Sequence, residues 1–544
     1  MNTGTIMIRS ALKRILYVGF ALLVLMHSSI ACALSDEEAL KVLADKNSSF
    51  NDKSIAVDAF SASDKAYVNK LLKGLEKGKL YYDKKTSEFY IETNNKSFIS
   101  LMSNSRFSGK KRDLKKVSIN NALREKLSLI ISIRDLENPV ISVDDRTQKA
   151  LSLVGKVPSA QTETFAVMRD KAVGENDDFA QALNFVIATA DLNSPDPKIR
   201  NGAMRILEDF SSPVLIDKFK SIAENDSDIS NRAYARKRVA DLEGSQKINT
   251  CIETVYFGLS LGSVLVLAAI GLSVTFGVMG VINMAHGELM MIGAYTTFVI
   301  QQLLPSYPGV ALLISIPVAF AVSGFVGILI ERGVIRYLYG RPLETLLATF
   351  GISLLLQQAV RSVFTALNKN VVIPDFMAGS FKVNEFLVLT YNRLYIIVFC
   401  LAVFFSLRYF LQHSTLGIQV RAVSQNRAMA RNMGVHSDRV NALTFALGSG
   451  IAGLAGVALS QLTNVGPNLG QNYIVDSFLV VVFGGAGNIW GTMVAGMTLG
   501  IANKIIEPIY GAMLAKIIIL VCVILFIQKR PRGLFPQRGR SVEG

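Results

Sequence analysis

Between Gly258 and Thr297 the chain is apolar except for one polar string, Ile282-Asn283-Met284-Ala285-His286-Gly287-Glu288. An amide, an imidazole and a carboxylate thus interrupt a hydrophobic stretch long enough to enter a bilayer. Such groups are costly at membrane depth, so they mark either a pathway or a packed polar contact. A polar solute leaving water needs replacement hydrogen bonds, which Asn283, His286 and Glu288 could supply. The alternative is that His286 and Glu288 satisfy each other or brace a helix end. Two more candidates for the pathway lie in later apolar runs: Gln357, in a span that also holds Gln358 and Arg361, and Asp476, in a glycine-rich span. Gln461, Asn464 and Asn468 either line a route for a neutral solute or stand at the membrane interface.

Other motifs point away from enzymatic chemistry. Gly448-Ser449-Gly450-Ile451-Ala452-Gly453 has the form of a dinucleotide-binding pattern. No strand precedes it, and small residues continue to Ala458, so it reads as close helix packing in lipid. There is no G-x-x-x-x-G-K-[ST] phosphate loop and no Ser-His-Asp spacing. The four cysteines, Cys32, Cys251, Cys400 and Cys522, are far apart and lack neighbouring histidines. Neither a metal, a cofactor nor a disulfide framework is expected.

These groups must be positioned by long apolar helices. The 544 residues are 50% hydrophobic, with a formal charge of +15 and a mean hydropathy of +0.36. Residues 34 to 250 hold 35 basic and 32 acidic side chains, against 19 and 10 after them. That asymmetry describes a charged soluble domain followed by a membrane domain. The excess positive charge beside the membrane reads as topology, since basic loops stay cytoplasmic; no nucleic-acid partner is expected.

In chain order, Arg9, Lys13 and Arg14 precede an apolar run to Met26, and Ala31-Cys32-Ala33 forms a small-x-small cleavage pattern. Residues 1–33 read as a signal peptide, with an uncleaved anchor and a lipid-attached Cys32 as alternatives. Residues 34–245 are expected to be an extracytoplasmic, mostly α-helical domain. Leu71, Leu72 and Leu75, and Leu123, Leu127, Ile130 and Ile131, recur at helical spacing, while KLYYDKKTSEFYIET from Lys79 suggests a hairpin. Asp196 to Arg200 and Asp226 to Arg232 resemble a degenerate pair of HEAT-type repeats; two capped helices that happen to match are the alternative. Gly244 to Thr250 reads as a linker into a transmembrane domain, residues 246–544.

Apolar spans follow at about 252–275, 287–304, 309–331, 343–365, 390–411, 441–463, 473–505 and 509–528. Basic clusters at Arg332 to Arg341, Arg408 to Arg439 and Lys529 to Arg540 mark the cytoplasmic side. Eight crossings from an external domain would leave the basic tail outside. The 473–505 stretch, broken by Gly484-Gly485-Ala486-Gly487, resolves this by crossing twice, since a broken helix is tolerated where protein satisfies the backbone. The fold class is mainly α, a polytopic bundle of about eight or nine spans.

GVMGVINMAHGELMMIGAY, from Gly277 to Tyr295, resembles the signature of the permease family of branched-chain amino acid ABC importers. The resemblance covers the latter half of the chain. It implies a second homologous permease subunit, cytoplasmic ATP-binding cassette subunits and a periplasmic solute-binding protein as partners in a bacterial inner membrane. The loop from Ser414 to Asn441 is similar to the ATPase-coupling loop of ABC permeases. Of its usual Glu-Ala-Ala and following Gly only Ala430 and Gly434 survive, the glutamate being absent; Arg421, Arg427 and Arg431 stud the same stretch, and the five are the expected coupling residues, with a solvated basic loop as the alternative. A signal peptide and a large external domain are similar to the urea-type branch, so urea or a short-chain amide is the expected solute, with branched-chain amino acids as the alternative. The rival from another class is a membrane-anchored receptor with an external solenoid, against which stand the short cytoplasmic loops.

Overall fold

The computed structural model describes residues 34–535, apart from 46–47, 62, 64, 84–85, 94–96, 104, 108, 110, 159–160 and 175. The expected signal peptide therefore lies outside the described residues. The chain divides into two compact units, residues 1–239 and 240–544.

The first unit opens with α1 (Asp36–Ala44), α2 (Phe50–Ser61) and α3 (Ala66–Glu76). Ser35 and Glu38 form a capping box at the start of α1, satisfying donors that a helix leaves unpaired. Strands β1 (Leu80–Asp83) and β2 (Phe89–Glu92) form the expected hairpin, with Tyr81 opposite Tyr90. The flanking β3 (Phe98–Ser100) and β4 (Leu114–Lys116) complete an antiparallel sheet of order β3-β2-β1-β4. Next come α4 (Asn121–Glu137), α5 (Val143–Leu153), α6 (Thr162–Ala172), α7 (Asp177–Asp191), α8 (Pro197–Ile206) and α9 (Pro213–Asn225). Leu71, Leu72, Leu75, Leu123, Leu127, Ile130 and Ile131 all enter one core with α1 and α2.

The two matching segments meet each other. Asp196 caps α8 through Lys198 N–H, and Asp228 accepts from Ser230 N–H at the start of the next helix. Arg200 donates from Nε and Nη2 to the two carboxylate oxygens of Asp226, each at 2.7 Å. Asn201 donates to Asn231 at 2.8 Å.

That next helix, α10 (Ile229–Met279), is 51 residues long and belongs to both units. Gly244 to Thr250, expected as a linker, lies inside it. One glycine costs a helix only about 1 kcal/mol, and the segment has no proline. Asn249 and Thr254 also bond back to the carbonyls of Ser245 and Thr250.

The second unit continues with α11 (His286–Leu303), α12 (Pro308–Gly333) and α13 (Pro342–Phe364), then the hairpin β5 (Ser380–Asn384) and β6 (Leu387–Thr390). It closes with α14 (Tyr391–His413), α15 (Thr415–Gln425), α16 (Arg427–Asn432), α17 (Ser437–Ser460), α18 (Leu469–Gly484), α19 (Ile489–Tyr510) and α20 (Ala512–Lys529). Among the described residues seven helices are long and apolar enough to cross a membrane: α10, α12, α13, α14, α17, α19 and α20. The polar start of α11 lowers its hydropathy, and α18 is a shorter apolar helix. The long 473–505 segment is two helices, separated at Gly485 and Gly487, whose φ values of 100° and 82° glycine alone adopts readily.

Small residues bring the helix axes together, as they must where no water drives apolar surfaces into contact. A Cβ on Gly448 would overlap the Gly271 carbonyl of α10, one on Gly453 would overlap Ala319 and Ser323 of α12, and one on Gly456 would overlap Met290 of α11. The formal dinucleotide pattern is thus the face on which α17 packs against three helices.

Candidate functional site: a buried polar break facing a polar stripe

Residues 280–285 interrupt the helical path between α10 and α11, and α11 begins inside the bundle. Nε2 of His286, at its first turn, lies 2.9 Å from the carbonyl of Ala268 and donates to it. Ala268 precedes the end of α10 by three turns, so α11 starts level with the interior of its neighbour rather than with its end. Gly271 permits this approach, because a Cβ there would stand 2.9 Å from Cε1 of His286.

Two residues further, in the same first turn, Glu288 meets α13. Its Oε1 accepts from Ser353 Oγ at 3.0 Å and from Gln357 Nε2 at 2.7 Å. Thr349 Oγ1 accepts from Met284 N–H at 3.1 Å. Asn283 Oδ1 turns inward to Ala285 N–H at 3.0 Å. All these side chains are buried: Asn283 and Glu288 are each 1% exposed and His286 is 0% exposed.

Of the expected pathway residues, the structure therefore joins Glu288 to Gln357, while Asn283 bonds within the break and His286, at the start of α11, bonds to the Ala268 carbonyl of α10. His286 and Glu288 do not satisfy each other, since each bonds to a different helix. Asp476 is separate: its carboxylate pairs with Lys516 of α20 at 2.8 Å. Gln358 points out of the bundle, and Arg361 donates to Asn468 at 2.7 Å. Ser353 and Thr349 carry the site but were not expected. Their signal was present, because Thr345, Thr349, Ser353, Gln357 and Arg361 recur every four residues and form one stripe along α13.

Three buried atoms in the break have no protein partner: Asn283 Nδ2, His286 Nδ1 and Glu288 Oε2. Buried polar groups are ordinarily paired. The break thus has hydrogen-bonding capacity left over in an otherwise apolar bundle.

A second constellation forms on α15 and α16. Asn426 caps α16 by accepting from Met429 N–H at 2.9 Å, and Ala430 packs with Val420, Val423 and Val440. Gly434 follows α16 at φ 85°; its N–H bonds to the Arg431 carbonyl and the next N–H to Ala430, a helix stop suited to glycine. Asp438 collects the arginines, at 3.6 Å from Arg427, 3.5 Å from Arg431 and 3.8 Å from Arg336. Arg427 also stacks 4.6 Å over the ring of Tyr339, whose hydroxyl donates to the buried Glu331. Arg421 bonds instead to the Leu411 carbonyl at the end of α14. A cleft of about 500 Å³ separates α15 from the last turns of α10 and from Trp490.

Residues 254–527 match the family described as branched-chain amino acid transport system / permease component. The high-affinity branched-chain amino acid transport system permease protein BraD of Pseudomonas aeruginosa is 33% identical over 287 residues, covering 51% of this chain and 93% of BraD. LivH of Escherichia coli, described in the same terms, is 30% identical over 300 residues, 52% of this chain and 94% of LivH. The ribose import permease protein RbsC of Escherichia coli is 27% identical over 139 residues, 24% of this chain and 43% of RbsC. No solved structure matches. The family match runs from within α10 to near the end of α20, including the break and the α15–α16 arm, and this chain belongs to the branched-chain amino acid ABC transporter permease family.

Proposed function

We propose that this chain forms part of the transmembrane route for branched-chain amino acids in an ATP-driven importer, with Asn283, His286, Glu288 and Gln357 on that route. The observation that carries this reading is the unpaired polar capacity of the break, opposite the polar stripe of α13, within the segment that matches the family. In this conformation the groups are occluded, so solute would reach them only as helices move. The descriptions of BraD and LivH favour branched-chain amino acids over the urea or short-chain amide first expected. They lend no support to a receptor.

Nine crossings, with residues 34–245 in the periplasm and the α15–α16 arm in the cytoplasm, agree with the placement of Arg332 to Arg341, the arginines of the arm and Lys529. The turn at 485–488 then also faces the cytoplasm. In this arrangement α15 and α16 dock on an ATP-binding subunit through Arg421, Arg427, Ala430, Arg431 and Gly434. A second related permease completes the pathway, and a solute-binding protein delivers the cargo. Asp476, paired with Lys516, is assigned a packing role rather than solute contact.

The test is uptake of labelled leucine and labelled urea by inverted-free membrane vesicles holding this chain with its partner subunits, with and without internal ATP. ATP-dependent leucine uptake is expected. Uptake of urea alone would replace the substrate, and ATP-independent behaviour towards both would reject the transport reading.

A further inference from the structure

Helices α12, α14 and α17, with Leu416 of α15, line an open apolar groove of about 720 Å³. Its walls include Phe325, Phe410 and Leu443, which are 61%, 42% and 50% exposed. The groove runs along α12 to Ile328 and along α17 to Leu443. One helical turn beyond Ile328 stands Arg332, and one turn before Leu443 stands Arg439; residues four apart share a helix face. Both arginines line a second cleft, of about 540 Å³, at the end of the groove nearest the α15–α16 arm.

The charge of that cleft is unbalanced. Asp438 already serves Arg336, Arg427 and Arg431, and Glu331 is buried and bonded to Tyr339. Arg332 and Arg439 have no ion-pair partner among the described residues. An apolar channel in the membrane that ends on two unpaired guanidinium groups complements a molecule with a hydrocarbon body and an anionic head. Guanidinium recognises phosphate with paired donors, and basic pockets between spans are suited to anionic headgroups.

We propose that the groove and the arginine cleft together bind an anionic phospholipid of the cytoplasmic leaflet, its acyl chain along α12 and α17 and its phosphate on Arg332 and Arg439. The leaflet assignment rests on the orientation proposed above. A packed helix of another subunit would fill the groove equally but would leave the two arginines without a counter-charge.

The test uses the full chain with its partner subunits, stripped of lipid in detergent and titrated with phosphatidylglycerol or phosphatidylethanolamine, with binding read by native mass spectrometry. Wild type should prefer phosphatidylglycerol. The double variant Arg332→Gln/Arg439→Gln should bind it about 30-fold more weakly, at roughly 1 kcal/mol per arginine, with phosphatidylethanolamine unchanged. Ala402→Trp, which fills the groove from the exposed side of α14, should weaken both lipids. Equal binding of the two lipids by wild type, or unchanged phosphatidylglycerol binding in the double variant, would overturn the proposal. So would a groove that accepts lipid only when the partner permease is left out, because a helix then covers it. Leucine uptake by the same subunits reconstituted into sealed vesicles separates the two readings: selective lipid binding without uptake supports the lipid site and counts against transport, whereas uptake without lipid selectivity does the reverse.

Discussion

Gln357 on α13 donates a 2.7 Å hydrogen bond to Oε1 of Glu288 on α11. The bond ties a carboxylate at the start of a helix inside the bundle to the polar stripe of a neighbouring span. It also leaves Oε2 of the same carboxylate unpaired, so one group both braces the break and keeps capacity to bind.

Removing the brace should therefore have two effects. Gln357→Leu leaves a buried acceptor short of a donor, which costs about 1–3 kcal/mol. The melting temperature in detergent should fall, and leucine uptake should drop by about tenfold or more, as 1.4 kcal/mol is a factor of ten. A variant that melts and transports like wild type would remove Gln357 from the site.

Helix spacing gives a sharper contrast. A side chain at Gly456 of α17 would strike the Met290 carbonyl and the Ala294 N–H of α11, whereas at Gly351 of α13 nothing lies within 4 Å. Gly456→Leu should prevent recovery of monodisperse protein, since overpacking costs about 1–3 kcal/mol and here the obstacle is backbone. Gly351→Ala should be neutral or stabilising by up to about 1 kcal/mol. Size-exclusion profiles of the two variants decide the point, and equal recovery would mean that the α11–α17 contact is looser than the structure shows.

At Gly434 the space is open but the backbone is not permissive. Its φ of 85° disfavours a β-branched residue. Gly434→Val should re-aim the turn between α16 and α17 and abolish solute stimulation of ATP hydrolysis in the assembled transporter, while the bundle still purifies intact. Gly434→Asn, which tolerates this conformation better, should retain most of the stimulation. Full stimulation in the valine variant would dissociate this turn from coupling.

Acid should loosen the first unit in a defined window. Arg200 holds the Asp226 carboxyl at about 2, below its ordinary 3.8, so the folded state favours the ionised form. The stabilisation is complete above about pH 3.8 and is lost as the pH falls towards about 2. Asp226→Asn should lower stability at neutral pH by about 2 kcal/mol, in the range for a hydrogen bond to a charged group. The difference between wild type and variant should shrink across that window when hydrogen exchange of α8 and α10 is followed. A difference that does not change with pH would mean that the pair does not govern the packing of these helices.

Much of this protein was legible from its residues in order. Hydropathy and length depend only on neighbours along the chain, so the apolar spans, the break at Asn283 to Glu288 and the turn at Gly485 could all be read locally. The hairpin around Tyr81 and Tyr90 and the caps at Asp196 and Asp228 are equally local. Even the stripe Thr345, Thr349, Ser353, Gln357 and Arg361 was present as a period of four. What the sequence could not determine was which groups meet. Glu288 reaches Gln357 across 69 positions, His286 turns to Ala268, and Asp476 is drawn to Lys516, because partners are chosen by the depth and rotation of whole helices. Those are set by glycine contacts such as Gly448 against Gly271, which exist only once the bundle is assembled. The segment from Gly244 to Thr250 shows the same rule at short range: its weak breakers would permit a linker, and the helix that continues through them is decided by the structure on either side.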